Sequence, residues 1–430
     1  MSAAGSGDGF VLLGIPDMNG SIRGKALRPD AFETAVERGT VMTDLLLGLD
    51  PTDTPITDYE TFGIRTGAAD LIVHPEPDTL RELSWRPGWQ ICLATPSWPD
   101  GSPCGFASRE VLRRVLEDVG SLGYEVMSAI EYEIRIWDEN GQPTSSGISY
   151  SVNEIGRYEA FLAALVPALE GLGVELSAVH TEAGPGLLEL NLEARRGLDA
   201  ADDAALVKFG VKQVAASMGL RASFLAKTNP GEEGSSGHVH MSFWTGETNA
   251  FAAADPAEPA PPVFVSAIAG VIEHLPGASL LLNPTINSYK RLVPGWFAPI
   301  NATWGYENRS CAVRAIRSAR PELWRFECRR PGADANPYLA LATLAASAAD
   351  GIRRSATPPD PIVGDAYALD LPELPSSLES ALRAFAEDGA LRSALGEDFA
   401  GYYATSRAWE LRAWRDTVTD WERERYDRSV

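Results

Sequence analysis

Four short segments of this chain carry charged or metal-ligating residues at every second position: Glu131-Tyr132-Glu133, Glu189-Leu190-Asn191, His238-Val239-His240-Met241-Ser242 and Arg325-Phe326-Glu327-Cys328-Arg329. Successive side chains on a strand point to opposite faces, so each segment, read as a strand, gathers its ionisable groups on one side and its apolar groups on the other. Carboxylates and imidazoles are ligands for divalent cations, and guanidinium groups pair with phosphate or carboxylate oxygens. A sheet face built from such strands suits metal-assisted chemistry on an anionic substrate. One pair alone, such as Glu131 and Glu133, is more often a strand facing water. The repetition of the alternation in the other segments is what points to a site.

Two further stretches add to it. Glu182 and Glu189 are bridged by Gly184-Pro185-Gly186, a turn that folds the chain back so that both carboxylates approach one point. A long irregular segment runs from Asn283 to Arg314, and its cations Lys290, Arg291, Arg309 and Arg314 lie in sequence too apolar for a solvated charge run. Irregular loops carrying such groups are where substrates are gripped.

The elements that position these groups form an α+β pattern. Strands are expected at about 124–137, 187–193, 221–227, 236–244 and 324–330, with helices at about 155–172, 199–218, 263–275, 335–353, 376–387 and 407–425. Several strand pairs have no crossover helix between them, which makes the sheet mostly antiparallel. Residues 10–105 read as a small, mainly β region: an apolar strand over Phe10–Pro16, turn chemistry at Asp17-Met18-Asn19-Gly20, a short helix at 31–38, and short strands from Leu71 to Thr95 broken by Pro75, Pro77 and Pro87. A helix capped by Ser108 follows at about 108–122. The expected division is therefore 8–105 and 106–430. The Ala- and Pro-rich stretch Ala252–Pro262 reads as a surface loop.

Composition narrows the function. A chain of 430 residues buries enough surface for two or three domains. The 59 acidic against 37 basic residues give a net charge of −22, which argues against a nucleic-acid partner. Cys92, Cys104, Cys311 and Cys328 lack C-x-x-C spacing, so neither a disulfide framework nor a structural zinc site is expected. The Met1–Gly9 stretch has no basic start followed by an apolar run, and no later segment is an uninterrupted bilayer-length apolar run. A cytoplasmic protein without a membrane partner is expected.

In their order along the chain these segments resemble the glutamine synthetase family, and the resemblance covers nearly the whole sequence. It rests on Glu131-Tyr132-Glu133, the Glu182–Glu189 stretch, Gly234-Ser235-Ser236-Gly237-His238-Val239-His240-Met241-Ser242 and Asn287-Ser288-Tyr289-Lys290-Arg291-Leu292-Val293-Pro294-Gly295, then Asn308-Arg309-Ser310, Arg325–Arg329 and Asn336-Pro337-Tyr338-Leu339. The closing Val418-Thr419-Asp420-Trp421-Glu422 is similar to the γ-glutamylpolyamine branch. The resemblance implies a small N-terminal β-grasp-like domain and a large catalytic domain whose antiparallel sheet lines the active site, as in glutamine synthetases and guanidino kinases.

It also implies roles. Glu133, Glu182 and Glu189 would hold one divalent ion, Mg²⁺ or Mn²⁺, and Glu131, His238 and Glu327 a second beside the phosphates of ATP. Arg291 and Arg329 would bind the carboxylates of the amino-acid substrate, with Glu133, Gly234 and His238 next to it. Arg309 and Arg314 would face the transferred phosphoryl group, while His240, Ser242 and Arg325, together with Arg309, contact ATP. A carboxylate attacking ATP brings two anions together, so metals and arginines must offset their charge. Family members assemble hexameric rings into dodecamers in which the small domain completes a neighbour's site. By that analogy Asp44 activates the amine in trans.

Departures from the pattern point away from ammonia. Where ammonia-using members carry a glutamate after Val-Pro-Gly, this chain reads Trp296-Phe297-Ala298-Pro299, and Leu45-Leu46-Leu47 replaces small polar residues after Asp44. Phe297 cannot take a proton, but it can exclude water and offer an apolar wall to an organic amine. Glu233 stands where asparagine is usual and Leu187 where glutamine is common; both bear on whether glutamate is the acid substrate. Leu369 occupies the place of a tyrosine that some members modify with AMP. The expected function is an ATP-dependent ligase joining the γ-carboxylate of glutamate, or an analogue, to an organic amine. The alternatives are glutamine synthesis from ammonium and a catalytically silent ring.

Overall fold

The computed structural model describes residues 9–253, 255 and 258–430. A six-stranded sheet comes first: β1 (Val11–Pro16), β2 (Ile22–Leu27), β3 (Thr40–Thr43), β4 (Asp70–Pro75), β5 (Arg81–Glu82) and β6 (Gln90–Ser97). Its order is β2-β1-β6-β4-β3, with β5 against β6. β1 and β6 are parallel and the other pairs antiparallel. Helix α1 (Pro29–Arg38) begins on a proline, whose missing N–H has no partner to lose in a first turn, and buries Phe32 and Ala35.

The ten-stranded sheet comprises β7 (Glu125–Trp137), β8 (Leu176–Thr181), β9 (Leu187–Leu192), β10 (Arg195–Arg196), β11 (Arg221–Ser223), β12 (Gly237–Thr245), β13 (Thr248–Asn249), β14 (Trp304–Tyr306), β15 (Val313–Ile316) and β16 (Arg325–Cys328). The order is β14-β15-β16-β12-β7-β9-β8. Its pairs are antiparallel apart from β14 with β15. On β7 the residues Val126, Ile130, Tyr132, Ile134 and Ile136 are buried, while Glu131 and Glu133 between them are half-buried. The two-residue period thus separates core from site along one strand.

The helices are α2 (Ser108–Ser121), α3 (Val152–Ile155), α4 (Glu159–Gly171), α5 (Asp199–Ser217), α6 (Pro262–Leu282), α7 (Pro337–Arg353), α8 (Leu378–Glu387), α9 (Gly389–Leu395), α10 (Glu397–Arg415) and α11 (Asp420–Tyr426). α6 and α7 pack backbone to backbone. A Cβ on Gly270 would come within 2.1 Å of Ser347 O, and one on Gly351 within 2.1 Å of Ser266 O. α6 is long and apolar enough to cross a membrane by length and composition, which the sequence reading missed, but 83% of its most apolar window is buried inside the protein. The small sheet is tied to the C-terminal helices: Tyr59 Oη donates to Tyr402 O at 3.0 Å, Tyr402 Oη to Leu47 O at 2.6 Å, and Arg407 Nη2 to Asn19 Oδ1 at 2.8 Å.

Several elements differ from expectation. The expected helix at 407–425 is two: α10 ends at Arg415, and Thr419 restarts the chain with a capping box to Glu422. The expected helix at 155–172 is broken by a 3₁₀ turn over Gly156–Tyr158. α6 runs past residue 275 to Leu282 with Pro276 inside it, and β11 stops at Ser223 rather than 227. Ser108 is not a cap; its hydroxyl donates to Pro16 O at 3.1 Å, back to β1. β8 was not anticipated. Within Ala252–Pro262, Ala254, Pro256 and Ala257 lie outside the described residues, as do the first eight residues of the chain.

Candidate active site

The register of the large sheet gathers the alternating charges. Glu131 on β7 faces His238 on β12 and Asn191 on β9, Glu133 faces Glu189, and His240 faces Glu327 on β16, which in turn faces Arg314 on β15. Glu131, Glu133, Glu182, Glu189, Gly234, His238, Arg291, Phe297, Arg309, Arg314, Glu327 and Arg329 line one cavity of about 520 Å³. His240, Ser242 and Arg325 line an adjoining cleft of about 260 Å³ that shares Glu131. Asp44 lies elsewhere, buried at the start of a 3₁₀ turn after β3, with Oδ1 unpartnered and Oδ2 accepting from Thr66 Oγ1 at 3.4 Å. Lys290 is exposed and lines neither cavity, and Leu187 is wholly buried rather than facing the substrate space.

Two donor clusters occupy the floor. Glu131, His240 and Glu327 present ligand atoms within 4.8 Å of one another, and so do His180, Glu182 and Glu189. In the first, His240 Nε2 is 2.9 Å from Glu131 Oε1, and His238 Nδ1 lies 3.7 Å from Glu131 and 3.6 Å from Glu327. His240 Nδ1 meets Arg325 Nε at 2.9 Å. Burial works to raise Glu131, but His240 and His238 outweigh it and hold the carboxyl well below its usual range. Glu327 is likewise resisted by burial, then drawn down to about 2 by Arg329 and the two histidines.

In the second cluster His180 Nε2 is 3.0 Å from Glu189 and its Nδ1 3.3 Å from Glu182. Glu133 adjoins it, accepting from Ser236 N at 2.6 Å. Burial and then the Glu189 carboxylate push Glu133 upward, and the same two causes raise Glu182. Carboxylates crowded to this degree suit a divalent cation, which oxygen and imidazole ligands accept. His238 Nε2, buried with no hydrogen-bond partner, is a further unused donor atom. These residues therefore fit the metal ions expected from the sequence.

Arginines close the other side. Arg291 is buried, donates to Ser236 Oγ at 3.1 Å and bonds Arg330 O. Its Cγ would stand 2.3 Å from a Cβ on Gly234, which is why that position has no side chain. Arg329 pairs with Glu327 and donates to Arg309 O at 3.1 Å, and Arg314 bridges Glu327 at 3.0 Å and Glu307 at 2.5 Å. Arg135 locks the wall from behind: Nη1 donates to Pro185 O at 2.6 Å and Glu232 Oε2 at 2.7 Å, and Nη2 to Glu233 O at 2.5 Å.

The sequence reading missed His180, Tyr150, Trp296 and Ser236 as cavity residues. His180 could have been found, because it alternates with Glu182 as the other ligands do. Tyr150 had no such signal: its ring stacks on His180 at 4.3 Å, and its N–H donates to Thr181 O at 2.8 Å from a backbone with φ of 52°. The predicted ligand sets also differ from the geometry in detail. His180, not assigned before, sits between Glu182 and Glu189, and His240 is closer to Glu131 than His238 is.

Residues 106–426 match the family profile described as glutamine synthetase, catalytic domain. The chain is 34% identical to gamma-glutamylethanolamide synthetase GlnA4 of Streptomyces coelicolor, over 98% of this chain and 92% of that protein. It is 33% identical to glutamate–isopropylamine ligase of a Pseudomonas species, over 97% and 94%. Several proteins named glutamine synthetase match at 31–33%. A solved structure titled GmaS/ADP complex superposes with a TM-score of 0.86 at 28% identity, covering 96% of each chain.

Proposed function

Because the chain belongs to the glutamine synthetase family, we propose that it is an ATP-dependent ligase that joins the γ-carboxylate of glutamate to an organic amine. The γ-phosphoryl group passes from ATP to a carboxylate oxygen, giving ADP and an acyl phosphate. The amine nitrogen then attacks the acyl carbon, the carbon–oxygen bond to phosphate breaks, and the amine's surplus proton leaves to a base. The observation that carries this reading is a single cavity in which two carboxylate–imidazole clusters face Arg291, Arg309, Arg314 and Arg329. Relatives named for an ethanolamide and an isopropylamine product favour an organic acceptor, and Phe297 in the cavity wall, without a carboxylate, agrees with it.

Glu133, Glu182 and Glu189, with His180, would hold one Mg²⁺ or Mn²⁺, and Glu131, Glu327, His238 and His240 would hold the other. Such ions offset the charge of the phosphates. Arg291 and Arg329 position the amino acid's carboxylates, and Arg309 and Arg314 stabilise charge building on the phosphoryl group. His240, Ser242 and Arg325, in the adjoining cleft, receive the nucleotide. Asp44 is the base, supplied by a neighbouring copy of the chain in a dodecamer of two hexameric rings, since within its own chain it lies outside the cavity.

Phosphate release from ATP and glutamate in the presence of magnesium tests the reading, with ammonium, methylamine, ethanolamine, putrescine, spermidine and aniline offered in turn. Release that requires an organic amine, with the γ-glutamyl amide identified by mass spectrometry, is the expected outcome. Release with ammonium alone would establish glutamine synthesis instead.

A further inference from the structure

A second, more apolar cleft of about 510 Å³ opens beside the charged cavity, and Phe297 and Arg309 belong to the walls of both. Its remaining wall includes Tyr306, Ile362, Val363 and Tyr367. Apart from Arg309, none of these residues has a part in the phosphoryl transfer described above. Ammonia is close to water in size, and a water takes up about 30 Å³, so the space far exceeds what an ammonia acceptor needs. Phe297 itself is 55% exposed and held at φ of 51°, a conformation that bulky residues seldom adopt. Gly295, at φ of 82°, turns the chain two residues before it, and Phe297 lines both spaces. Val363 is 95% exposed although apolar, an arrangement that leaves it free to cover a bound hydrocarbon.

Resting on the ligase reading above, we propose that this cleft houses the hydrocarbon part of the acceptor, so that the preferred substrates are primary amines carrying an apolar chain of several carbons. The amine nitrogen then lies beside Arg309 and Phe297, where the two spaces meet and the acyl phosphate forms. The chain extends along Val363 and Ile362 toward Tyr306. Each methylene placed against that wall is withdrawn from water, which should raise kcat/KM by up to about fourfold per added carbon until the wall ends.

The test uses the full-length protein with magnesium, ATP and glutamate, and a graded series of acceptors from ammonium and methylamine to hexylamine. Wild type should show the rise with chain length. Val363→Asp, at a position too exposed to matter for folding, should flatten that rise. A Tm equal to wild type verifies that the variant is folded. Amide formed with every amine but no gain with chain length overturns the inference and leaves the ligase reading intact, and so does a gain that Val363→Asp does not change. Absence of amide with every acceptor removes the ligase reading and this inference with it.

Discussion

Replacing Glu189 by glutamine should make the metal-free protein more stable and the magnesium-loaded protein less so. Glu189, Glu182 and His180 hold their ligand atoms within 4.8 Å of one another, and both carboxylates are largely buried. Two unit charges at that spacing repel by about 3 kcal/mol at an effective dielectric near 20. His180 between them offsets part of this, so neutralising one carboxylate should return on the order of 1–2 kcal/mol, a few degrees of Tm at most for a chain of this size. The glutamine oxygen can still accept from Asn191 Nδ2, which lies 2.8 Å from Glu189. Magnesium at a hundred times its Kd adds about 2.7 kcal/mol for one intact site, and a hundredfold weaker site at the same concentration keeps only about 0.4 kcal/mol. Thermal melts in EDTA and in saturating magnesium should therefore cross over between wild type and variant. A variant that melts lower in EDTA and keeps the whole magnesium increment would refute the assignment of this cluster to a cation.

Three further outcomes are expected. His274 is buried with Nδ1 2.9 Å from Asp388 and Nε2 3.0 Å from Asp350, which Arg354 also grips; burial opposes its charge, but the two carboxylates raise its pKa. Its contribution is then full below its unfolded value of roughly 6.5 and fades as pH rises through the higher folded value, so the Tm gap between wild type and His274→Asn should be widest near pH 6 and narrow toward alkaline pH. A gap that grows with pH rejects the clamp. Arg135→Leu strips Glu232 and two carbonyls of a buried partner and should lower unfolding stability in urea by about 3–5 kcal/mol; a loss under about 1 kcal/mol counts against its role in holding the wall. Phe297→Glu should raise the ratio of kcat/KM for ammonium over ethanolamine by about tenfold, the worth of roughly 1.4 kcal/mol, and an unchanged ratio would remove Phe297 from acceptor choice.

Much of the site was legible because strands carry their chemistry with a period of two. Glu131, Glu133, Glu189, His238, His240 and Glu327 could be placed on one face before any register was known, since the alternation itself fixes the side. The gaps have the same physics behind them. β8 was passed over because Leu176-Ser177-Ala178-Val179 alternates weakly, and with it went His180. Tyr150 reaches the cavity from a loop whose path is set by Thr181, a contact 31 residues distant in sequence that no local pattern encodes. Ser108 looked like a helix cap because serine before an apolar run usually is one, but its hydroxyl is spent on β1 instead. Leu187 was weighed as bearing on the acid substrate only because it stands where glutamine is common in the family, whereas its side chain is wholly buried in the core.

The pairing of Glu131 with His238 and of Glu133 with Glu189 also guards the assembly of the sheet. A slip of one residue between β7 and either neighbour would turn carboxylates and imidazoles inward against Ile130, Tyr132 and Ile134 and would turn their apolar partners out to water. Such a mispaired chain would bury several unpaired ionisable groups at once, at a cost well beyond the stability of a typical domain's margin. The residues that serve the reaction thus act during folding as a proofreading ladder. The price of a charged floor in the native protein is recovered as an error signal in every wrongly zipped one.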